Sequence, residues 1–189
     1  MKKWRFVSNQ NSVISGINDA GIETFTADIN RSLVREIIQN SLDAVRMDVD
    51  EPVIVEFELI KVKREEIPAV HDLQYAIRKC YESNLDEPDA HNFFRKADDI
   101  LSKEYIDVLR ISDHNTRGLE GSDTCKKGTN WSRLVKENGS SNKGQSSGGS
   151  FGIGKSATFA CSDLRTVFYS SLDVNGVKSN FGVARLISF

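Results

Sequence analysis

Glu36-Ile37-Ile38-Gln39-Asn40-Ser41-Leu42-Asp43-Ala44 combines two patterns within nine residues. Glu36, Asn40 and Asp43 fall at i, i+4 and i+7, which in a helix confines them to an arc of roughly 60°. Leu33, Val34, Ile37, Ile38, Leu42, Ala44 and Val45 supply a broad apolar face beside that arc. A carboxylate, a carboxamide and a second carboxylate in one row can serve a water, a divalent cation and a ligand together. The plain alternative is a part-solvated helix with ordinary polar residues on its outer face. The nine residues alone do not separate the two.

Upstream, residues 1–27 are polar with short apolar touches, and Gly16 and Gly21 suggest turns. Thr26, Asp28 and Asn30 are each able to cap a helix that runs to about Met47. Asp48-Val49-Asp50-Glu51-Pro52 breaks it. Val53–Lys63 then alternates, apolar at the odd positions 53 to 59, and predicts a strand. Tyr105–Ser112 predicts a second strand ending at Asp113. Between them, residues 64–104 read as an inserted helical pair. Val70, Leu73, Ala76, Ile77 and Cys80 have helical spacing, as do Phe93, Phe94, Ala97, Ile100 and Leu101, with Pro88 breaking the chain between the two sets. Ten Asp/Glu against six Lys/Arg mark the outer face of this pair as solvated, for packing or partner contact and not for chemistry.

From His114 to Ser150 the composition turns to Gly, Ser, Asn, Thr and Lys, with Leu119, Trp131, Leu134 and Val135 as the apolar exceptions. A loop of this length is expected to be a functional lid or disordered. Then come a short helix (about Lys155–Cys161), a strand (Leu164–Leu172), a turn at Asp173-Val174-Asn175-Gly176 and a last strand (Val177–Ile187). Asn-Gly between two apolar runs is a hairpin signal. The two tryptophans, Trp4 and Trp131, read as packing residues.

The 189 residues suit one domain with a real core, and 39% hydrophobic with 28% charged residues is a globular composition. A net charge of −2 excludes a global field for nucleic acid while leaving local patches open. Cys80, Cys125 and Cys161 are odd in number and lack C-x-x-C spacing, so neither a disulfide framework nor a zinc site is expected. No signal peptide or membrane span is legible, and a cytoplasmic location with no membrane partner is the expectation.

Gly149-Ser150-Phe151-Gly152-Ile153-Gly154-Lys155-Ser156 fits the phosphate-binding pattern G-x-x-x-x-G-K-[ST] letter for letter. That pattern works on a buried strand feeding the loop and a full helix leaving it. Here Ser, Asn, Lys, Gly and Gln precede Gly149, and only about two helical turns follow. A glycine loop at a helix start still lets backbone N–H groups approach an anion, with Lys155 adding charge. Seven Lys/Arg and three Asp/Glu between Arg117 and Lys155 give a local excess of +4.

Three motifs therefore stand in order: E-x-x-x-N-x-x-D-A on a helix, an apolar strand ending in Asp, and F-G-I-G-K after a long polar loop. Together they resemble the GHKL ATPase superfamily, named for gyrase, the heat-shock chaperone, histidine kinases and MutL. The resemblance spans nearly the whole chain, and residues 33–44 look most like the bacterial MutL-like and MORC-like ATPases of phage-defence systems.

The resemblance implies an α+β protein with a Bergerat-type two-layer α/β sandwich. Its sheet would be mixed and mostly antiparallel with helices on one face. The chain would be one N-terminal ATPase domain over 1–189, with the insertion at about 64–104 and the lid at about 114–150. Glu36 matches the general base for the attacking water. Asn40 matches the side-chain ligand of Mg²⁺, and Asp43 the third position of that motif, lining the nucleotide pocket. Asp113 matches the carboxylate that accepts the adenine amino hydrogen bond. Gly152, Ile153 and Gly154, with Lys155 and Ser156 beside them, match the loop that holds the phosphates. The implied cofactors are ATP and Mg²⁺. Implied partners are a second copy of the chain on ATP binding, a C-terminal effector domain or protein, and DNA.

Glu36 favours hydrolysis over phosphotransfer, because histidine kinases typically lack a Glu at that place. The family's D-x-G-x-G turn departs here to Asp113-His114-Asn115-Thr116-Arg117-Gly118, with Asn in place of the first Gly and Gly118 one place late. Asn tolerates positive φ better than other side-chain-bearing residues. The alternative is a nucleotide-binding switch without hydrolysis, and a P-loop NTPase ranks behind it. Hydrolysis is expected to be weak or partner-dependent, since neither the Thr that supports the adenine Asp nor the γ-phosphate cation of a following domain is found.

Overall fold

The computed structural model describes residues 3–6, 16–137 and 154–189. The chain is α+β, with two two-stranded antiparallel sheets and six α-helices among the described residues. The helices are α1 (Ala20–Glu23), α2 (Ile29–Asp43), α3 (Val70–Ser83), α4 (Pro88–Leu101), α5 (Asn130–Val135) and α6 (Ser156–Ala160). The strands are β1 (Ile54–Lys63), β2 (Tyr105–His114), β3 (Thr166–Leu172) and β4 (Lys178–Ala184). None of these helices is long and apolar enough to cross a membrane.

The chain divides into two compact units, 1–19 with 57–111 and 185–189, and 20–56 with 112–184. In the first, Phe57–Lys63 pairs with Tyr105–Ile111. The ion pairs Glu58–Arg110 and Lys61–Asp107, the latter at 3.0 Å, share one antiparallel register. The helical pair is as its spacing demands. Leu73, Ile77 and Cys80 of α3 are buried with Ala90, Phe94, Ala97 and Leu101 of α4. Pro88 does not merely interrupt the chain but opens α4 at its first position, where its missing N–H costs nothing. Burying each of Leu73, Ile77, Phe94 and Leu101 stabilises the unit by about 1.5–3 kcal/mol. Arg64 closes the pair. Its guanidinium donates to the Leu101 carbonyl and to Gln74 Oε1, both at 2.6 Å, and Gln74 donates on to Asp98 at 2.8 Å. Trp4 stacks on Phe6, ring centroids 6.0 Å apart.

The second unit is built on α2. Asp28 is its N-cap, accepting from Arg31 N at 3.2 Å. Leu33 and Ser41 are buried, and α2 packs on α6. The broad apolar face expected of this helix is only partly covered, since Val34, Ile38 and Leu42 are 41, 42 and 59% exposed. α6, which packs on α2, has only five residues. The helix also ends at Asp43 and not near Met47, because Val45 forms a bridge with Thr116 and Arg117 N donates to the Ala44 carbonyl at 2.8 Å. β3 and β4 form an antiparallel hairpin whose turn is held by buried Asp173. Its Oδ1 accepts from Asn175 N and Val177 N at 2.9 Å each.

Within the polar 114–150 stretch, α5 is a helix that composition did not announce. Thr129 caps it, accepting from Ser132 N at 3.2 Å, and Trp131 and Val135 are buried. The expected packing role of Trp131 is met at 3% exposure. Residues 138–150 of the expected lid lie outside the described residues.

Candidate functional site

Every described residue of the expected site falls in the second unit. Glu36 is half-buried, and Asn40 and Asp43 are exposed on later turns of α2. The packing of α2 on α6 brings the Glu36 side chain onto Gly154, the residue two before α6. Gly154 is buried, and a Cβ added there would coincide with the carboxylate, 2.8 Å from Glu36 Cδ and 3.6 Å from its Cγ. The start of the helix motif and the last glycine of F-G-I-G-K thus meet in space. Gly152 and Ile153 lie outside the described residues.

Lys155 is engaged on protein carbonyls. Its ammonium donates to the Arg133 carbonyl at 3.0 Å and to the Glu137 carbonyl, at the C-terminal end of α5. Cations favour that end of a helix, where carbonyls lack intrahelical partners. The Glu137 carboxylate completes the knot, accepting from Gly128 N and Ser132 Oγ at 2.7 Å each. Ser156 is buried at the first position of α6.

The other end of the site is the turn after β2. Asp113 is exposed at the penultimate position of that strand. Asn115 has φ +60°, the conformation a glycine would take, and its Nδ2 donates to the Pro52 carbonyl at 2.8 Å. Gly118, at φ +65°, lies against the β3–β4 turn, where a Cβ would come within 2.9 Å of Asp173 Cα and 3.0 Å of the Leu172 carbonyl carbon. Leu119 N donates to Ser171 Oγ at 2.8 Å. Arg117 joins this turn to α2, its guanidinium donating to the Asp43 carbonyl at 3.1 Å. Asp43 and the Asp113 turn are thereby tied to the same corner of the unit.

An open cleft of about 460 Å³ lies at that corner, lined by Leu42, Asp43, Val45, Met47, Asp48, Arg117 and Val174. Of the described residues of the expected site only Asp43 borders it, so it is not the pocket that Glu36, Asn40 and Asp113 would share. Arg46 pairs with Asp48, which holds the Asp48 carboxyl below its ordinary value. Arg117 and the Lys155 latch are features that sequence spacing did not single out. Arg117 stood next to a motif position, but its contacts to residues 43–44 are tertiary.

Among the described residues no group of three His, Cys, Asp or Glu side chains could hold a metal ion. A cation at Asn40 would need most of its ligands from elsewhere, as Mg²⁺ does when it arrives with phosphate oxygens and waters. Comparison with protein-family models, curated proteins and solved structures found no match to this chain.

Proposed function

We propose that the chain binds ATP with Mg²⁺ and hydrolyses it, as a module of the GHKL type whose finer architecture is the Bergerat-type sandwich. One observation carries the reading: the Glu36 carboxylate lies against Gly154, so the two motifs that the resemblance assigns to base and phosphate loop are neighbours. Hydrolysis of this kind rests on placement and charge neutralisation, with a base to take the proton of the attacking water. Glu36 is the base in this proposal. Asn40, exposed one turn further along α2, gives Mg²⁺ a side-chain oxygen, and the bound cation supplies the charge neutralisation. Asp113 receives the adenine amino group, and Asn115 keeps the adjoining turn in its glycine-like form. Nucleotide binding then drives dimerisation or an attached effector, with DNA-directed defence as the setting.

The positive φ at Asn115 bears on the switch alternative. The substitution that motivated a non-hydrolysing reading leaves the turn's backbone in the conformation the family's glycine would adopt. The P-loop alternative is weakened by α6, which has five residues, and by a Lys155 ammonium already engaged on two carbonyls.

Calorimetry with a non-hydrolysable ATP analogue, with and without Mg²⁺, tests the binding. Asn40→Ala is expected to remove the Mg²⁺ dependence and Asp113→Ala to abolish adenine selectivity. Wild-type affinity in both variants, with loss only in Lys155→Ala, would replace this proposal with the P-loop one.

A further inference from the structure

Gly154 is buried, and the space its side chain would fill is taken by the carboxylate of Glu36. The three atoms nearest to an added methyl all belong to Glu36: Oε2, then Cδ at 2.8 Å and Cγ at 3.6 Å. The obstacle is the far end of a flexible side chain, so it would swing away and not break the fold.

We propose that Gly154 is the positioning residue of Glu36. The missing side chain is the recess in which the carboxylate is held, on the side of α2 that faces α6. This deepens the hydrolytic proposal and rests on it. On the resemblance alone, this glycine serves the phosphates through its backbone. The structure gives it a second duty toward the base. One consequence separates that duty from a backbone role: the cost of enlarging the residue must depend on the length of the side chain at position 36.

The test combines two measurements on the full chain. In the ¹H–¹⁵N spectrum without nucleotide, the Gly154 amide is expected to move between the wild type and Glu36→Gln, as amides remote from position 36 do not. In turnover assays, Gly154→Ala is expected to lower kcat about 10- to 100-fold, as a misplacement of about 1 Å can, with KM changed less than about twofold. Glu36→Asp withdraws the carboxylate by one methylene. In that background the same alanine is expected to change kcat less than about twofold. A Gly154 signal indifferent to Glu36 overturns the placement, whether or not ATP is hydrolysed. An equal kcat loss from Gly154→Ala in both backgrounds, or none in either, overturns the positioning role. A Glu36-dependent Gly154 signal in a chain that hydrolyses no ATP overturns the hydrolytic proposal, and the catalytic duty with it, while the recess stands.

Discussion

The Lys155 ammonium donates to the Arg133 carbonyl at 3.0 Å, tying the residue before α6 to the C-terminal turn of α5. A second bond to the Glu137 carbonyl makes this a cap on a helix end. The lysine that completes a Walker-like string in the sequence meets, in the fold, two carbonyls at the end of a helix.

Lys155→Met keeps the stem and removes the ammonium. Hydrogen bonds to charged groups are worth about 1.5–3 kcal/mol, and Lys155 is only half-buried, so a loss of about 1–3 kcal/mol is expected from denaturant unfolding. ATP affinity should change less than about threefold. Lost affinity with unchanged stability would make Lys155 a phosphate ligand after all.

Asn115 makes a second separable case. Its φ of +60° is unfavourable for a residue with a Cβ, and its side chain answers with a bond to the Pro52 carbonyl. Asn115→Ala keeps the strain and loses the bond, for an expected loss of about 1 kcal/mol. Asn115→Gly also loses the bond but relieves the strain, so its loss is smaller, a few tenths of a kcal/mol. Thermal unfolding should rank the wild type above the glycine variant and the glycine above the alanine. An alanine variant as stable as the wild type would contradict this.

Much of the fold is legible from such local chemistry. Asp28 caps α2, odd-position apolar residues mark β1, the Leu73–Cys80 and Phe94–Leu101 spacings mark the helical pair, and Asn175-Gly176 marks the hairpin. What escaped depends on partners distant in sequence. Residues 44–46 continue the helical pattern of α2 but are captured by 115–117. For α5 the local signals, a Thr129 cap with apolar residues at 131 and 135, are few within a polar stretch, and Lys155 holds its end from outside. The spacing of Glu36, Asn40 and Asp43 was readable, and the contact of Glu36 with Gly154 was not. That meeting is made by the packing of α2 on α6.

The three cysteines offer a test of the first unit's core. Burial pushes the Cys80 thiol up to about 12 from an ordinary 9.0, while its Sγ donates to the Ile187 carbonyl at 3.3 Å. Cys125 is exposed. At pH 8 a thiol reagent should modify Cys125 quickly and Cys80 only through unfolding. Because the fold raises this pKa, the neutral thiol's stabilisation is complete below pH 9 and is lost as pH climbs toward 12. Stability should fall more steeply over that window in the wild type than in Cys80→Ala. Rapid labelling of Cys80 in the folded chain, or equal slopes, would contradict the buried placement.

The hydrolytic proposal stands or falls on Glu36. Phosphate release from Mg²⁺-ATP should be measured for the wild type and Glu36→Gln, beside calorimetric ATP binding by both. The expected result is comparable binding, with slow release by the wild type and release by Glu36→Gln at least about 100-fold lower. Equal release by the two proteins, whether at a measurable rate or at none, would contradict the assignment of Glu36 as the catalytic base.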